Sequence, residues 1–171
     1  MKVIDNFLPS YQFKQIYSIM MGSDFPWYYN PTIVSEHADD YIEDRWQLCH
    51  TFNHHNKGEL STFNPLMDPV VSRLEIKPGN LLRIKANLNP KTIFHRRGGY
   101  HTDIIRSSTR SNVKIALLYV NSNNGWTHIK GYGKVKSVAN RMVIFDCNLF
   151  HSGYTCTDEK TRVLINFNWK E

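Results

Sequence analysis

The residues of this chain best suited to chemistry are two histidines, an aspartate and an arginine in its second half. His101 and Asp103 stand two residues apart, and His151 follows in a distant segment. Two imidazoles and one carboxylate can occupy one face of an octahedral Fe(II) ion and leave three positions open. Residues two apart on a strand point to the same side, so a His-x-Asp pair can chelate one metal. The third ligand must then come from a distant strand that lies alongside.

Arg162 comes eleven residues after His151, at the start of the last predicted strand. Its planar guanidinium is permanently charged and can bind a carboxylate through two parallel hydrogen bonds. An arginine at this position could hold the far end of a dicarboxylate whose near end chelates the metal.

The N-terminal part of the chain is predicted to be helical. Ser10 is expected to cap a helix that ends at Gly22. Apolar residues recur along it at helical spacing, namely Phe13, Ile16, Tyr17 and Met20. A second helical segment is predicted at residues 65–76, interrupted by Pro69. Residues 26–29 between them are predicted to be a strand or an aromatic loop.

The pattern becomes that of a β-protein after Pro78-Gly79. Short runs rich in Val, Ile, Leu and aromatic residues alternate with turn clusters such as 121–125, which predicts a sandwich or a barrel. The runs are residues 81–88, 113–120, 134–138, 141–146 and 162–169. Helices first and strands afterwards make the predicted fold class α+β, mainly β.

Two of these runs have a polar face that two interpretations fit. Arg83, Lys85 and Asn87 alternate with apolar residues in the first run, and Asn166 and Asn168 do so in the last. A solvated sheet surface would explain one such strand. Asn is a poor strand former, however, and it recurs in both runs. A wet barrel interior that holds a polar ligand is the alternative.

Together these residues resemble the signature of the Fe(II)/2-oxoglutarate-dependent dioxygenases, which is His-x-Asp, a distant His, and an Arg about ten residues on. The prolyl-hydroxylase-like branch, with its small members from bacteria and their viruses, is the most similar. The resemblance spans residues 80–169 and includes 124–127, 137–141, Phe145-Asp146 and 151–153. It implies a double-stranded β-helix (jelly-roll) barrel with supporting N-terminal helices.

The resemblance also implies a role for each site residue. His101, Asp103 and His151 would bind Fe(II), and Arg162 would bind the C5 carboxylate of 2-oxoglutarate. Asn87 and Tyr119 are candidates for the cosubstrate pocket. The implied reaction uses O2, converts 2-oxoglutarate to succinate and CO2, and hydroxylates a substrate, with ascorbate as reductant.

Size and composition favour one folded domain. The 171 residues are 41% hydrophobic and 13% aromatic, which is typical of a globular protein with its own core. We expect residues 1–79 to supply helical support and substrate-side loops, and residues 80–171 the catalytic core. No apolar run approaches the roughly 20 residues that span a bilayer. The N-terminus lacks the apolar core of a signal peptide, so the expected location is the cytoplasm, of the host cell if the protein is viral.

The formal net charge of +6 leaves two interpretations open. Lys and Arg are spread along the chain and form no basic tail, which favours a mildly basic surface. The alternative is attraction to an anionic substrate or cosubstrate.

Other histidines and turn motifs have simpler interpretations. His50 and His54 are spaced four apart and His55 follows, which would suit a helical zinc pair, but no carboxylate accompanies them. They are expected to lie on the surface, where they could line the substrate entrance. Single histidines, expected in packing or on the surface, are His37, His95 and His128. Residues 131–133 are predicted to be a hairpin turn, and Asp146 to support a turn rather than His151.

The predicted substrate is a prolyl or other side chain of a protein or peptide. A nucleic acid or a small metabolite is the alternative substrate, and a catalytically silent cupin-like metal-binding module is the alternative class. No membrane partner is expected. Specificity is expected to lie in residues 28–46 and 91–100.

Overall fold

The computed structural model describes residues 1–34, 40–43, 45–103 and 112–171. In this part of the chain, helices α1 (Ser10–Met20) and α2 (Asp68–Arg73) accompany eleven strands. The strands are β1 (Lys2–Ile4), β2 (Tyr28–Asn30), β3 (Gln47–His54), β4 (Glu59–Leu60), β5 (Leu81–Pro90), β6 (Val113–Tyr119), β7 (Trp126–Ile129), β8 (Gly133–Lys136), β9 (Met142–Asp146), β10 (His151–Tyr154) and β11 (Thr161–Lys170). None of the helices described is long and apolar enough to span a membrane.

The strands form two antiparallel sheets. The larger sheet has the order β1-β9-β6-β11-β5-β3-β2, with β4 paired to β3, and the smaller has the order β10-β7-β8. The last strand, β11, lies between β5 and β6, so strands distant in the chain become neighbours. The predicted class, α+β and mainly β, is confirmed. All five predicted runs match a strand to within two residues at either end, whereas β1, β3, β4, β7 and β10 were not predicted.

Alternate residues of β5 and β11 face opposite sides of the larger sheet. One side packs with α1 in the main hydrophobic core through Ile84, Ala86, Val163, Ile165 and Phe167. The other side lines a cavity through Arg83, Lys85, Asn87 and Asn166. The wet-interior interpretation of the polar face is therefore correct.

The N-terminal helices begin at different residues than the sequence predicted. Pro9, not Ser10, is the N-cap of α1, and no side chain caps this helix. Ser10 is instead the first helical residue. Residues 64–67 form a 3₁₀ turn that leads into α2, with Pro69 at the second position of that helix. The backbone amides in the first turn of a helix have no intrahelical acceptor, so a proline, which has no amide hydrogen, is tolerated there. Pro69 therefore lies in the first turn of α2 and does not interrupt a longer helix.

The surface prediction is wrong for His50. This residue lies on β3 and is 4% exposed. Its ring contacts Phe25, Phe52 and Phe63, while its two nitrogens bond the Pro26 carbonyl at 2.9 Å and Ser61 Oγ at 2.8 Å. Burial lowers its pKa despite the bond to Pro26. His50 is thus a core histidine with satisfied hydrogen bonds, and it does not line the cavity.

Candidate metal site

All four predicted site residues line one cavity of about 1180 Å³. His101 and Asp103 lie on the segment after residue 100, His151 is the first residue of β10, and Arg162 is the second of β11. The backbones of His101 and His151 form an isolated antiparallel bridge, with N···O distances of 3.1 and 3.0 Å. This bridge brings His101 next to His151, although the two residues are distant in the chain.

The two imidazoles and the carboxylate converge on one point. One ligand atom from each residue lies within 4.8 Å of the others. Asp103 Oδ1 is 3.6 Å from His101 Nε2 and 3.7 Å from His151 Nε2. These three groups therefore present one face of ligands with the rest of the cavity open beyond them, as a facial metal site requires.

Backbone carbonyls set the orientation of both imidazoles. His101 Nδ1 is 3.2 Å from the Gly99 carbonyl oxygen, and His151 Nδ1 is 3.2 Å from that of Leu149. A carbonyl only accepts, so each Nδ1 carries a proton and each Nε2 faces Asp103. This arrangement is typical of metal-binding histidines. Burial acts to lower the pKa of His101, but Asp103 outweighs it and raises this pKa, so metal binding would displace a proton from this ring.

The second oxygen of Asp103 is held by β5 and β11. Asp103 Oδ2 accepts hydrogen bonds from the side-chain amides of Asn166 and Asn168 and lies 3.6 Å from Arg83 Nη2. These bonds leave Oδ1 facing the histidines. The recurring asparagines signalled a polar interior in the sequence, but sequence alone did not identify Asp103 as their acceptor.

The charges of the triad suit a cation. Burial acts to raise the pKa of Asp103, but the His101 hydrogen bond and the charges of His151 and Arg83 outweigh it, so this pKa lies well below its usual value. Burial lowers the pKa of His151. Neutral His151 and ionised Asp103 are the protonation states in which these residues bind metal.

Arg162 lies in the same cavity and contacts only neutral side chains among the described residues. It is 1% exposed. Nε donates to Ser137 Oγ at 2.9 Å, Nη2 to Thr127 Oγ1 at 2.8 Å and Nη1 to Asn89 Oδ1 at 3.4 Å. Burial lowers its pKa, yet a guanidinium stays charged in proteins. A buried cation with no acidic partner in the described chain is a site for an anion.

Two glycines make room for this arginine. A Cβ on Gly125 would lie 2.8 Å from Arg162 Cδ, and one on Gly153 would lie 3.2 Å from Nη1. Both glycines belong to the segments that carried the family resemblance. Glycine is therefore favoured at both positions, because a larger residue would contact the Arg162 side chain.

Asn87 and Tyr119 occupy different positions relative to the cavity. Asn87 lines it, and its buried Oδ1 has no hydrogen-bond partner within the described residues. Tyr119 is buried behind Arg162, and its hydroxyl donates to Thr127 Oγ1 at 2.8 Å. A direct contact of either residue with a cosubstrate stays a prediction.

Asp40, which the sequence did not single out, fixes the segment that carries His101. Its carboxylate accepts bonds from Arg97 Nη1 and Nη2 at 2.6 and 3.0 Å and from the Tyr100 amide at 2.6 Å. The Tyr100 and Arg97 bonds lower its pKa. Gly99 has a φ of +92°, and a Cβ there would lie 2.5 Å from the Asp40 carbonyl oxygen. The close contact between this segment and Asp40 therefore needs glycine at position 99.

Asp40→Ala is expected to weaken Fe(II) binding by roughly tenfold. This is the lower end of the loss seen when a residue that supports a metal ligand is removed. The reason is that residues 97–101 lose three hydrogen bonds to one carboxylate. Anaerobic equilibrium dialysis would measure the affinity. Asp24→Ala, which removes an exposed carboxylate on the N-terminal segment, is the control, and equal affinities in both variants would contradict this role.

The remaining sequence predictions have mixed outcomes. Residues 131–133 form the turn between β7 and β8, as predicted. His128 accepts or donates a bond with the Tyr100 hydroxyl at 2.7 Å, and His95 packs on Trp126. Asp146 pairs with Lys114, and its carbonyl accepts the Leu149 amide in a turn, as predicted. His37 and part of the 28–46 segment lie outside the described residues.

Comparison with solved structures identifies the fold. No protein-family model and no curated protein matches the sequence. A viral collagen prolyl hydroxylase from Paramecium Bursaria Chlorella virus-1, in its 2OG complex, matches with TM-score 0.63 at 12% identity, over 99% of this chain and 96% of that chain. A Pseudomonas putida prolyl-4-hydroxylase gives 0.56 at 17% identity, over 99% and 92%. A 2OG-Fe(II) oxygenase from Burkholderia pseudomallei gives 0.65 at 10% identity, over 99% and 85%.

At this low identity the likeness defines the fold. The chain has the double-stranded β-helix, or jelly-roll, fold that these 2OG-Fe(II) oxygenases and prolyl hydroxylases share. The predicted architecture is thereby confirmed, and so is the similarity to prolyl hydroxylases that the sequence indicated.

Proposed function

We propose that the chain is an Fe(II)- and 2-oxoglutarate-dependent oxygenase that hydroxylates a prolyl or other side chain of a protein or peptide. The observation that carries this proposal is the convergence of His101, Asp103 and His151 in one cavity with Arg162. The fold shared with 2OG-Fe(II) oxygenases supports it. So does the peptide bound to a structurally similar prolyl hydroxylase from Trichoplax adhaerens.

The donor set fits Fe(II). Two neutral imidazole nitrogens and one carboxylate oxygen, with open space beyond them, are the ligands that non-haem Fe(II) oxygenases use. A structural zinc site would instead be closed by a fourth protein ligand, commonly a cysteine. Among the described residues the cluster contains three such groups and no cysteine.

The position of Arg162 supports a role in holding the far end of 2-oxoglutarate. Arg162 and Asn166 lie on the same face of β11, four residues apart, so their Cα atoms are separated by roughly 13 Å. Asn166 contacts Asp103, and the long arginine side chain spans part of this distance. A short dicarboxylate can therefore lie between the metal ligands and the guanidinium.

Each group of the chain has a defined task in the reaction. His101, Asp103 and His151 would hold an Fe(II) ion, which when bound would supply the oxygen chemistry that converts 2-oxoglutarate and O2 to succinate and CO2 and places the second oxygen atom in the product. Asn166 and Asn168 keep Asp103 oriented. Arg162 would position the cosubstrate by its distal carboxylate. The apolar core behind β5 and β11 excludes water from that side.

Succinate release tests this function. The protein is incubated with Fe(II), 2-oxoglutarate, ascorbate and ¹⁸O2, with and without pools of proline-containing peptides. Succinate that carries label and requires Fe(II) is the expected product. Peptide intact mass should rise by one oxygen. A protein that neither binds 2-oxoglutarate nor forms succinate under any of these conditions would be the silent module instead.

A further inference from the structure

The cavity around the candidate site carries far more basic than acidic side chains. Its described lining includes eight Lys or Arg residues and two acidic residues, Asp40 and Asp103. Asp40 is paired with Arg97, and Asp103 faces the histidines. Most of the positive charge in the cavity is therefore not neutralised by the described chain.

Iron and cosubstrate would not neutralise it either. If the proposed function is correct, the charges of Fe(II) and the 2-oxoglutarate dianion sum to zero. The charges of Asp103 and Arg162 also sum to zero. Among the other basic residues of the lining, Lys85, Lys91, Arg96 and Lys130 form no ion pair within the described residues. The described lining of the loaded cavity would thus still be positive, and it would attract an anionic ligand.

Lys85 is the basic group deepest in this set. It lies on β5 between Arg83 and Asn87, and its strand neighbours are Thr51 on β3 and Asn166 on β11. Both are neutral, and Asn166 contacts the metal ligand Asp103. Burial lowers the pKa of Lys85, and the charge of nearby Asp103 offsets this only in part. An anionic group bound here would lie next to the metal.

The mouth of the cavity combines charge with exposed apolar side chains. Lys91 and Arg96 are exposed there, and between them Ile93 is 88% and Phe94 78% exposed. This short loop is fixed at its base, where Thr92 and Arg96 bond to Thr155 and the Thr92 amide bonds to the Cys156 carbonyl. A fixed loop with two exposed apolar side chains is a contact surface for another molecule.

Three aromatic rings near the mouth, those of Tyr100, Phe150 and Trp126, are already covered by other side chains. Arg97 and Lys130 lie over the Tyr100 ring at 4.9 and 4.7 Å, and Lys130 also lies 5.2 Å from the Phe150 ring centroid. Trp126 stacks on Tyr154 and has Lys134 at 4.1 Å. Single-stranded nucleic acids are bound by a basic groove together with aromatic rings on which bases stack, and these three rings are not free to stack, so we favour a polypeptide as the ligand.

We propose that the substrate is an acidic polypeptide segment whose carboxylates bind Lys85 inside the cavity and Lys91 and Arg96 at its mouth. An apolar residue of the same segment contacts Ile93 and Phe94. This inference rests on the proposed function, and it names the substrate class of that same site.

Paired peptides test the proposal. Fluorescently labelled peptides with a central proline flanked by glutamates, by glutamines or by lysines are titrated into the Fe(II)- and 2-oxoglutarate-loaded protein without oxygen, and anisotropy gives Kd. The glutamate peptide should bind about tenfold more tightly than the glutamine peptide, equivalent to about 1.4 kcal/mol. This preference should shrink as salt is raised.

Variants locate the preference. Lys85→Gln should lower the glutamate-to-glutamine affinity ratio severalfold, because only Lys91 and Arg96 then bind the carboxylates, and Lys85→Arg should preserve most of it. Lys14→Gln is the matched control, because Lys14 is exposed on α1, on the opposite side of the larger sheet. If Lys85→Gln fails to fold, a Lys91→Gln/Arg96→Gln variant at exposed positions should lower the same ratio.

Three outcomes overturn the proposal. These are equal affinity of wild-type protein for the three peptides, an unchanged ratio in both the Lys85 and the Lys91/Arg96 variants, and Lys85-dependent binding of a single-stranded oligonucleotide in place of the peptide. Labelled succinate in the same preparation shows that the proposed function stands when only the peptide preference fails. Absence of succinate together with absence of 2-oxoglutarate binding means that the proposed function itself has failed.

Discussion

Asp103→Ala is expected to abolish Fe(II) binding and succinate formation. The substitution removes one of three metal ligands and leaves Arg83, Asn166 and Asn168 without their shared acceptor. Losing an outer partner of a ligand already costs roughly 10–100-fold in affinity or activity, so losing the ligand itself should cost more. Anaerobic dialysis measures the iron, and labelled succinate measures the turnover.

Asp146→Asn is the matched control for Asp103→Ala. Asp146 is exposed, pairs with Lys114 and does not line the cavity. Its loss should leave iron binding and turnover at the wild-type level. Near-normal iron binding by Asp103→Ala would refute the metal assignment.

Arg162→Gln is expected to raise the KM for 2-oxoglutarate by roughly tenfold to a hundredfold, the range of one charge-assisted hydrogen-bonding interaction. Glutamine keeps much of the side-chain volume but cannot supply the permanent charge or the two parallel donors. Fe(II) affinity should survive, because Arg162 contacts none of the three ligands. The KM of Arg162→Lys for 2-oxoglutarate should lie between those of the wild-type protein and Arg162→Gln, because lysine restores the charge but not the two parallel donors.

Arg141→Gln serves as the control for Arg162. Arg141 pairs with Asp5 and lies outside the cavity lining. If Arg162→Gln left the KM for 2-oxoglutarate unchanged while Arg141→Gln also had no effect, the carboxylate anchor would lie elsewhere. Lys85 would then be the next cation in the cavity to examine.

The residues of the candidate site could be singled out from the sequence because most of their signals are local. His151 and Arg162 lie at the starts of β10 and β11, and the alternation in β5 and β11 showed which side of the sheet is polar. His101 and Asp103 lie outside the described strands, and the backbone bridge from His101 to His151 holds them beside β10. The pairing of β5 with β11 puts their polar residues on one face of the larger sheet. The structure places all four of them in one cavity.

The sequence could not predict features that depend on contacts between distant segments. β3 carries Gln, Cys, His and Thr among its apolar residues, so it lacks a clear strand pattern, and His50 becomes a core residue only because Ser61 and the Pro26 carbonyl satisfy its nitrogens. Asp40 is an ordinary loop residue in the sequence. Its importance comes from Arg97 and Tyr100, which lie far along the chain.

The dependence of 2-oxoglutarate binding on iron tests the central claim most directly. If the cosubstrate is held by the metal at one end and by Arg162 at the other, its affinity must depend on both. Calorimetry without oxygen should show that wild-type protein binds 2-oxoglutarate much more tightly with Fe(II) than without it, and that Asp103→Ala loses this difference. Equal 2-oxoglutarate affinity with and without Fe(II) would contradict a shared site.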